Sequence, residues 1–344
     1  MRVEVKPYDD AWPAHFRAEA ARLAPLFGAE LMALHHIGST AVPGLAAQPV
    51  IDMMPVVRRI EAVDRAAPDL AAMGYEGLGE NGLPGRRYFR KGGAARTHQI
   101  HAYAFDHPDV LRHLAFRDFL RARPSVAKEY GRLKGRLART FPQDMAGYVA
   151  GKDPWIRATE ARALAWWAQV PLLVINGTVG VGKTTVATLV ADGLAARSIP
   201  YAAVDFDGLA DTNIRSPWDP FAFGLGLAVL DGLWLRARAL GARVLVIAGV
   251  VETRESRDAL TGTVPGCRPT IVRLRAPAAV VQERLRRRMG PGASLDWHLS
   301  RLTELDAILD RAAVDDAVVE TAGMAPEEVA RRVLDLWRPA DVMA

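Results

Sequence analysis

The chain has 344 residues, of which 50% are hydrophobic and 24% charged, with a net charge of +5 and one cysteine. This length predicts two domains, and the composition is that of a globular protein with enough apolar surface for two cores. The lone Cys267 excludes an intrachain disulfide framework and any cysteine-based zinc cluster. No apolar run reaches the roughly 18 residues of a membrane span, and the opening "MRVEVKPYDD" is too polar for a secretory signal. A cytoplasmic protein without a membrane partner is therefore expected.

The charge is unevenly placed. Residues 1–168 hold 24 Lys+Arg against 18 Asp+Glu and seven of the eight histidines, whereas residues 169–344 hold 20 against 21. The front half is thus the part able to meet a phosphorylated or nucleic-acid partner, or it carries a solvated basic surface. The back half has a single lysine, Lys183, among its twenty basic residues. Where any positive charge would serve, this chain uses arginine, so the compact ammonium itself is wanted at 183.

In chain order, "ALHHIGSTAVPGLAAQPVIDMMPVV" (33–57) gives two apolar strand-like runs joined by a Gly38-Ser39-Thr40 turn. The second run carries one acid, Asp52, in apolar surroundings, and a desolvated carboxylate needs a partner or a metal. "GRRYFRKG" (85–92) and "RTHQIHAYAF" (96–105) follow, with His98 and His101 at opposite parities and so on opposite faces of a strand. A helical, Arg- and Lys-rich block spans 113–141, and a helix over 152–168 couples to what comes next, with Trp166 and Trp167 as candidate packing between domains.

These motifs resemble the GrpB (UPF0157) family: "HIGSTAVPGLAAQPVIDM", "GRRYFRKG", "THQIHAY", "HLAFRDFLRARP", "EYGRLKGRLA" and "YVAGKDPWI", covering residues 3–158. The resemblance implies a nucleotidyltransferase-like α+β fold. It makes Gly38 and Ser39 a phosphate turn and Asp52 a metal ligand, with His101, Glu80, Arg87 and Lys152 as residues that could complete a site. Two positions depart from the pattern: Met54 stands where a second Asp is usual, and Gln48 where the family tends to have lysine. The implied ligand is a nucleotide or a phosphorylated compound.

"PLLVING" (171–177) reads as a buried strand, and "KTTVATLVADGLAA" (183–196) has helical spacing. Between them lies "GTVGVGKTT", comprising Gly177, Thr178, Val179, Gly180, Val181, Gly182, Lys183, Thr184 and Thr185, a Walker A pattern in a strand–loop–helix context. Backbone N–H groups and the helix N-terminus would cradle the phosphates of ATP, Lys183 would neutralise them, and Thr184 would ligate Mg²⁺. Further strands are expected at 200–206, 242–251, 269–275 and 316–322, separated by helices near 221–240, 253–261, 277–289, 295–313 and 326–337. This alternation predicts a parallel sheet with helices on both faces and ligands at the strand carboxyl ends.

Asp205 and Asp207 end the second of these strands two residues apart, as base and metal anchor. The third strand ends without an acid, and Glu252 after it would act through water or cap a helix. Arg284, Arg286, Arg287 and Arg288 precede a Gly-Pro-Gly break, with Ser294 as the next N-cap. That layout suits a lid whose arginines, Arg284 and Arg288 among them, reach the transferring phosphoryl. Arg215, Trp218, Phe221 and Phe223 would line the pocket of an amphipathic acceptor with an anionic group.

This half, 171–337, resembles the small P-loop kinases: adenylylsulfate kinase, shikimate kinase and chloramphenicol phosphotransferase. The expectation is a two-domain α/β protein, with a GrpB-like domain over 1–168 and a P-loop kinase domain over 169–344. It would use ATP and Mg²⁺ to phosphorylate a small hydroxylated acceptor, with nucleotidyltransferase chemistry in the front domain still open. Open alternatives are a dephospho-CoA kinase, a polynucleotide 5′-kinase gripping a strand with its basic front half, and a nucleotide-dependent regulatory protein without transfer chemistry.

Overall fold

The computed structural model describes residues 3–209, 211, 212 and 216–338. The chain divides between Trp167 and Ala168 into two compact units, each built on its own five-stranded sheet. The whole is α/β, with one mixed and one all-parallel sheet. Among the described residues no helix is long and apolar enough to cross a membrane.

The first unit runs α1 (Trp12–Phe27), β1 (Leu31–Ile37), β2 (Ile51–Val57), α2 (Glu61–Ala72), β3 (Tyr75–Gly77), β4 (Arg87–Lys91) and β5 (His98–Ala104). Its sheet has the order β1-β2-β5-β4-β3, with β2 and β5 parallel and every other pair antiparallel. Met53, Val57 and Ile100 are buried against Leu23 of α1 and Leu70 of α2. Each such side chain contributes about 1.5–3 kcal/mol by leaving water.

Three helices complete the unit: α3 (Pro108–Ala122), α4 (Pro124–Thr140) and α5 (Met145–Trp167). The single helical block expected over 113–141 is two helices. Pro124 cannot continue α3, but its fixed φ suits the first turn of α4. The helix expected from 152 begins at Met145, where Asp144 accepts from the Gly147 amide at 2.9 Å and closes the first turn. The Trp166 ring packs edge-on against Phe119 of the same unit, 5.8 Å between centroids.

The second unit runs β6 (Val170–Gly177), α6 (Lys183–Ala196), β7 (Tyr201–Asp205), α7 (Phe206–Leu209), α8 (Phe223–Ala239), β8 (Val244–Ala248), α9 (Arg254–Gly262), β9 (Cys267–Arg275), α10 (Ala278–Arg288), α11 (Ala293–Ala312), β10 (Ala317–Glu320) and α12 (Pro326–Trp337). All its strands are parallel, in the order β10-β9-β6-β8-β7. β6 lies at the centre and every one of its eight residues is buried, which is why it reads as an unbroken apolar run rather than an alternating one. Leu173 and Ile175 pack with α6 and α12, and Leu172 and Val174 pack with α8, on opposite sides of the sheet.

The penultimate residue of β6 is Asn176, a fully buried amide with all its hydrogen-bonding capacity used. Its Oδ1 accepts from the Gly177 and Val251 amides at 2.9 and 3.0 Å. Its Nδ2 donates to the Val251 carbonyl at 3.2 Å and to Asp315 at 2.8 Å. The central strand is thereby tied to the segments after β8 and before β10.

Candidate functional site

The loop 177–182 leaves β6 at the carboxyl edge of the parallel sheet and turns directly into α6. Gly177 adopts φ +138°, and a Cβ there would lie 2.6 Å from the Leu274 carbonyl oxygen, so no other residue fits. Val181 is buried in the core and pins the loop from below. Residues Val179, Gly180, Val181, Gly182, Lys183, Thr184 and Thr185 line a cavity of 570 Å³. Gly177 and Thr178 lie beneath it and accept through their carbonyls from Lys183 Nζ, both at 3.1 Å.

Lys183 is 9% exposed. Burial lowers its pKa, and Arg288 adds to that, while Asp207 and Asp205 oppose it. Thr184 Oγ1 donates to Asp205 Oδ2 at 2.8 Å. This pairs the loop's hydroxyl with the last residue of β7, and the two oxygens suit a hard cation such as Mg²⁺. Among the described residues no group of three or more His, Cys, Asp or Glu is arranged for a metal, so any cation held by these two oxygens would need its other ligands from phosphate or water.

Asp205 and Asp207 do not share a strand face, because β7 stops at Asp205 and the helical turn α7 begins at Phe206. The turn still brings Asp207 to the cavity. Burial raises the Asp207 pKa, helped by Asp205 and Glu252 and opposed by Lys183.

The arginines divide. Arg284 donates to the Val181 carbonyl at 3.1 Å and to Thr321 Oγ1 and O, each at 3.3 Å, so it clamps the loop to the segment after β10. Arg288 lines the cavity, whereas Arg287 pairs with Glu283 along the exposed side of α10. The following helix is capped at Gly292, one residue before Ala293, rather than at Ser294.

A second chamber of 1110 Å³ adjoins the first and shares Val179, Asp207 and His298 with it. Trp218, Phe221 and Phe223 line it as the sequence suggests, and Trp218 is 87% exposed. Arg215 lies outside the described residues. The sequence reading missed Trp297, His298 and Arg301 of α11; the i, i+4 pairing of Trp297 with Arg301 was the available signal. Arg301, almost wholly buried, binds Glu252 at 2.5 Å and Glu304 at 2.7 Å and lies over the Phe221 ring. Glu252 therefore neutralises an arginine, and the cap of α9 is Thr253. With Arg301 so occupied, Asp205, Asp207, Asp211 and Asp219 leave the described lining acidic.

In the first unit, a 740 Å³ cavity opens between the turn after β1, the strands β2 and β5, and the helices α3–α5. Gly38 (φ +70°) crosses Asp52 so closely that a Cβ would sit 2.3 Å from its carboxylate. Ser39 and Asp52 line the cavity beside it. Asp52 is partly open, its side chain 26% exposed, and its company is polar: His101 Nε2 at 3.6 Å and the Gln99 side-chain amide, which donates to it at 3.2 Å once its O and N are exchanged to satisfy their neighbours. Met54 is fully buried and supplies nothing.

Of the residues that could complete this site, His101 and Lys152 line the cavity. Arg87 does not, being held by Asp64 at 2.5 Å, and Glu80 accepts from the Gly85 amide at 2.7 Å within the turn before β4. The helical wall adds two residues the sequence reading did not single out as site members, Lys134 and Tyr148.

The comparisons follow these two halves. Residues 2–162 match the GrpB protein family. The UPF0157 protein YqkA of Bacillus subtilis is 48% identical over 165 residues, 48% of this chain and 48% of that protein, so the chain spans about half the length of this relative. The UPF0157 protein PA4798 of Pseudomonas aeruginosa is 39% identical over 48% of this chain and 69% of its own length. A protein of Mycolicibacterium paratuberculosis named dephospho-CoA kinase is 29% identical over 48% of this chain and 46% of its own.

Among solved structures, the GrpB protein of Enterococcus faecalis is 44% identical over 47% of this chain and 97% of that chain, at a TM-score of 0.46. A gluconokinase of Sinorhizobium meliloti covers 51% of this chain and 97% of that chain at 20% identity and a TM-score of 0.37. Through its first unit, the chain belongs to the GrpB (UPF0157) family.

Proposed function

We propose that the parallel-sheet unit is an ATP-dependent phosphotransferase acting on a small hydroxylated acceptor, and that the GrpB unit binds a nucleotide or another phosphorylated compound. The observation that carries the first part is the junction of the two cavities at Asp207. In this reading the loop cavity takes the triphosphate and the aromatic chamber takes the acceptor, so Asp207 stands where an acceptor hydroxyl meets the terminal phosphoryl. Its raised pKa suits a base that receives a proton at its carboxylate during transfer.

The residues divide the work. Lys183 presents its ammonium to the phosphates from a fixed position. Thr184 and Asp205 would hold Mg²⁺, which supplies charge neutralisation on the phosphate oxygens. Arg288 adds positive charge from the end of α10. Trp218, Phe221 and Trp297 give the acceptor an apolar face to lie on, while the chamber's carboxylates accept from its hydroxyls. The acidity of the described lining favours a neutral or cationic acceptor over the anionic one expected from Arg215.

The relative named dephospho-CoA kinase favours a second reading, with dephospho-CoA as acceptor. One screen tests both: γ-labelled ATP with neutral polyols, aminated hydroxyl compounds, anionic sugars and dephospho-CoA, with Lys183→Ala as control. Transfer to an uncharged or aminated compound upholds the proposal, and transfer to dephospho-CoA alone upholds the second reading. Transfer that survives intact in Lys183→Ala would refute the site.

A further inference from the structure

The cavity of the GrpB unit is lined by buried polar groups that lack partners. Lys134 is 2% exposed, and its Nζ has no hydrogen-bond acceptor. The Tyr148 hydroxyl, on a fully buried side chain, has no partner either, and neither has His101 Nδ1. A buried donor left unmade costs about 1–3 kcal/mol, and more when charged, so such groups do not collect in one cavity wall without a return elsewhere.

They have a common geometry. Tyr130 and Lys134 on α4 are spaced i, i+4, with Nζ 4.5 Å from the ring centroid. Tyr148 and Lys152 on α5 repeat the arrangement at 4.2 Å. Each ring fixes an ammonium against a helix, and both lysines line the cavity. The Tyr130 ring is itself held by stacking on Trp155, 4.4 Å between centroids with planes 2° apart.

The ion pairing of the lining supports the same conclusion. Arg112 is spent on Asp109 and Glu160, so Asp52 is the carboxylate facing the two lysines. Burial pushes the Lys134 ammonium down to about 7, and Lys152 adds to that. One carboxylate thus faces two ammonium groups, and Lys134 Nζ keeps no hydrogen-bond acceptor, which leaves positive charge in the wall unmatched.

We infer that Lys134, Lys152 and the Tyr148 hydroxyl form a phosphoryl-binding wall that receives the oxygens of a phosphate ester or of a nucleotide's phosphate chain. This rests on the reading of the GrpB unit as a binder of phosphorylated compounds, and it places the grip on the helices α4 and α5 in addition to the Gly38–Ser39 turn.

Methyl-labelled methionine separates the two units in one titration of the full chain, because Met145 lines this cavity and Met324 lines the loop cavity of the other unit. Pyrophosphate, inorganic phosphate and ATP are added in turn, with the resonances assigned by Met145→Leu and Met324→Leu. The expected result is a saturable shift of Met145. Lys134→Leu and Tyr148→Phe each weaken it tenfold or more in Kd while leaving the Met324 response intact.

Tighter binding of ATP than of pyrophosphate identifies a nucleotide, and equal binding identifies the phosphoryl group alone; both uphold the inference. A Met145 shift that survives unchanged in both variants overturns the wall and leaves the unit's phosphate-binding reading standing. No Met145 response to any of the three probes overturns both. Tyr148→Phe removes one oxygen only, so it keeps the test decisive should Lys134→Leu fail to fold.

Discussion

The two cavities treat their lysines in opposite ways. In the parallel-sheet unit Lys183 is buried but already occupied, since two carbonyls of its own loop accept from it and two aspartates face it. In the GrpB unit Lys134 is also buried, but its Nζ has no hydrogen-bond acceptor: a tyrosine ring lies against it and Asp52 faces it without bonding. The first is a cradle whose stability is independent of ligand, the second a wall whose strain is relieved by one. Burial alone therefore says little about a charged group; what distinguishes the two sites is whether the fold or a ligand completes the hydrogen bonding.

The comparison can be broken most directly at Lys183. Lys183→Ala should lower phosphoryl transfer by about 10³-fold, on the scale of removing one preorganised donor from a phosphoryl-transfer site. Thermal unfolding and the Met145 response of the other unit should stay as they are. Loss of folding together with activity would show that Lys183 holds the loop together and that the cradle does not stand by itself.

A second test concerns pH. The Lys134 ammonium sits at about 7 in the folded chain against an ordinary 10.5. Between those values the unfolded chain binds the extra proton, so stability rises with pH across the window. The penalty is full below about 7 and gone above about 10.5, with an upper bound on the order of 5 kcal/mol. Lys134→Leu should flatten this slope in urea titrations at a series of pH values. Lys152 is pushed down by the same burial and retains part of the slope. A pH profile identical to that of the native chain would show that the Lys134 amine is solvated.

A smaller loss is expected from Asn176→Ala, which removes four hydrogen bonds, three of them buried, and leaves their partners unsatisfied. The expected cost is about 3 kcal/mol in urea unfolding of the parallel-sheet unit, and a change within 0.5 kcal/mol, the ordinary scatter for surface positions, would mean that water replaces the amide. The smallest effect belongs to Trp218→Ala. It should raise the acceptor KM several-fold with kcat nearly unchanged, as expected of a stacking surface that binds substrate and transition state alike. A fall in kcat at constant KM would instead place that ring at the reacting atoms.

How much of this was legible in the sequence depends on how local the cause is. The frame of the 177–184 loop could be read because a fully buried parallel strand, a glycine-dense turn and a helical repeat are all local patterns. Pro124 stands in plain view as a break, yet the basic residues around it read as one continuous amphipathic block. The helical turn at Phe206 was invisible, since "VDFD" alternates like a strand, while the Phe206 side chain packs against Gly226 and Gly249 from distant parts of the sequence. Asp52 was read as sealed in apolar surroundings, but its strand neighbours are buried while its own carboxylate faces the cavity.

Lys134 is the clearest case. In "EYGRLKGRLA" nothing local separates it from Arg132 or Arg136. The one available sign is the Tyr-x-x-x-Lys spacing that recurs in "YVAGK", and its meaning depends on two helices meeting over one sheet.

The amide hub at Asn176 has a kinetic consequence. Because Asn176, just before the loop, is stitched to the segments after β8 and before β10, the cradle has no pivot at its root. In the proposed transfer cycle, opening would then fall to the Gly290-Pro291-Gly292 break between α10 and α11. Stiffening that tripeptide should slow the release of products without altering how firmly the phosphates are held.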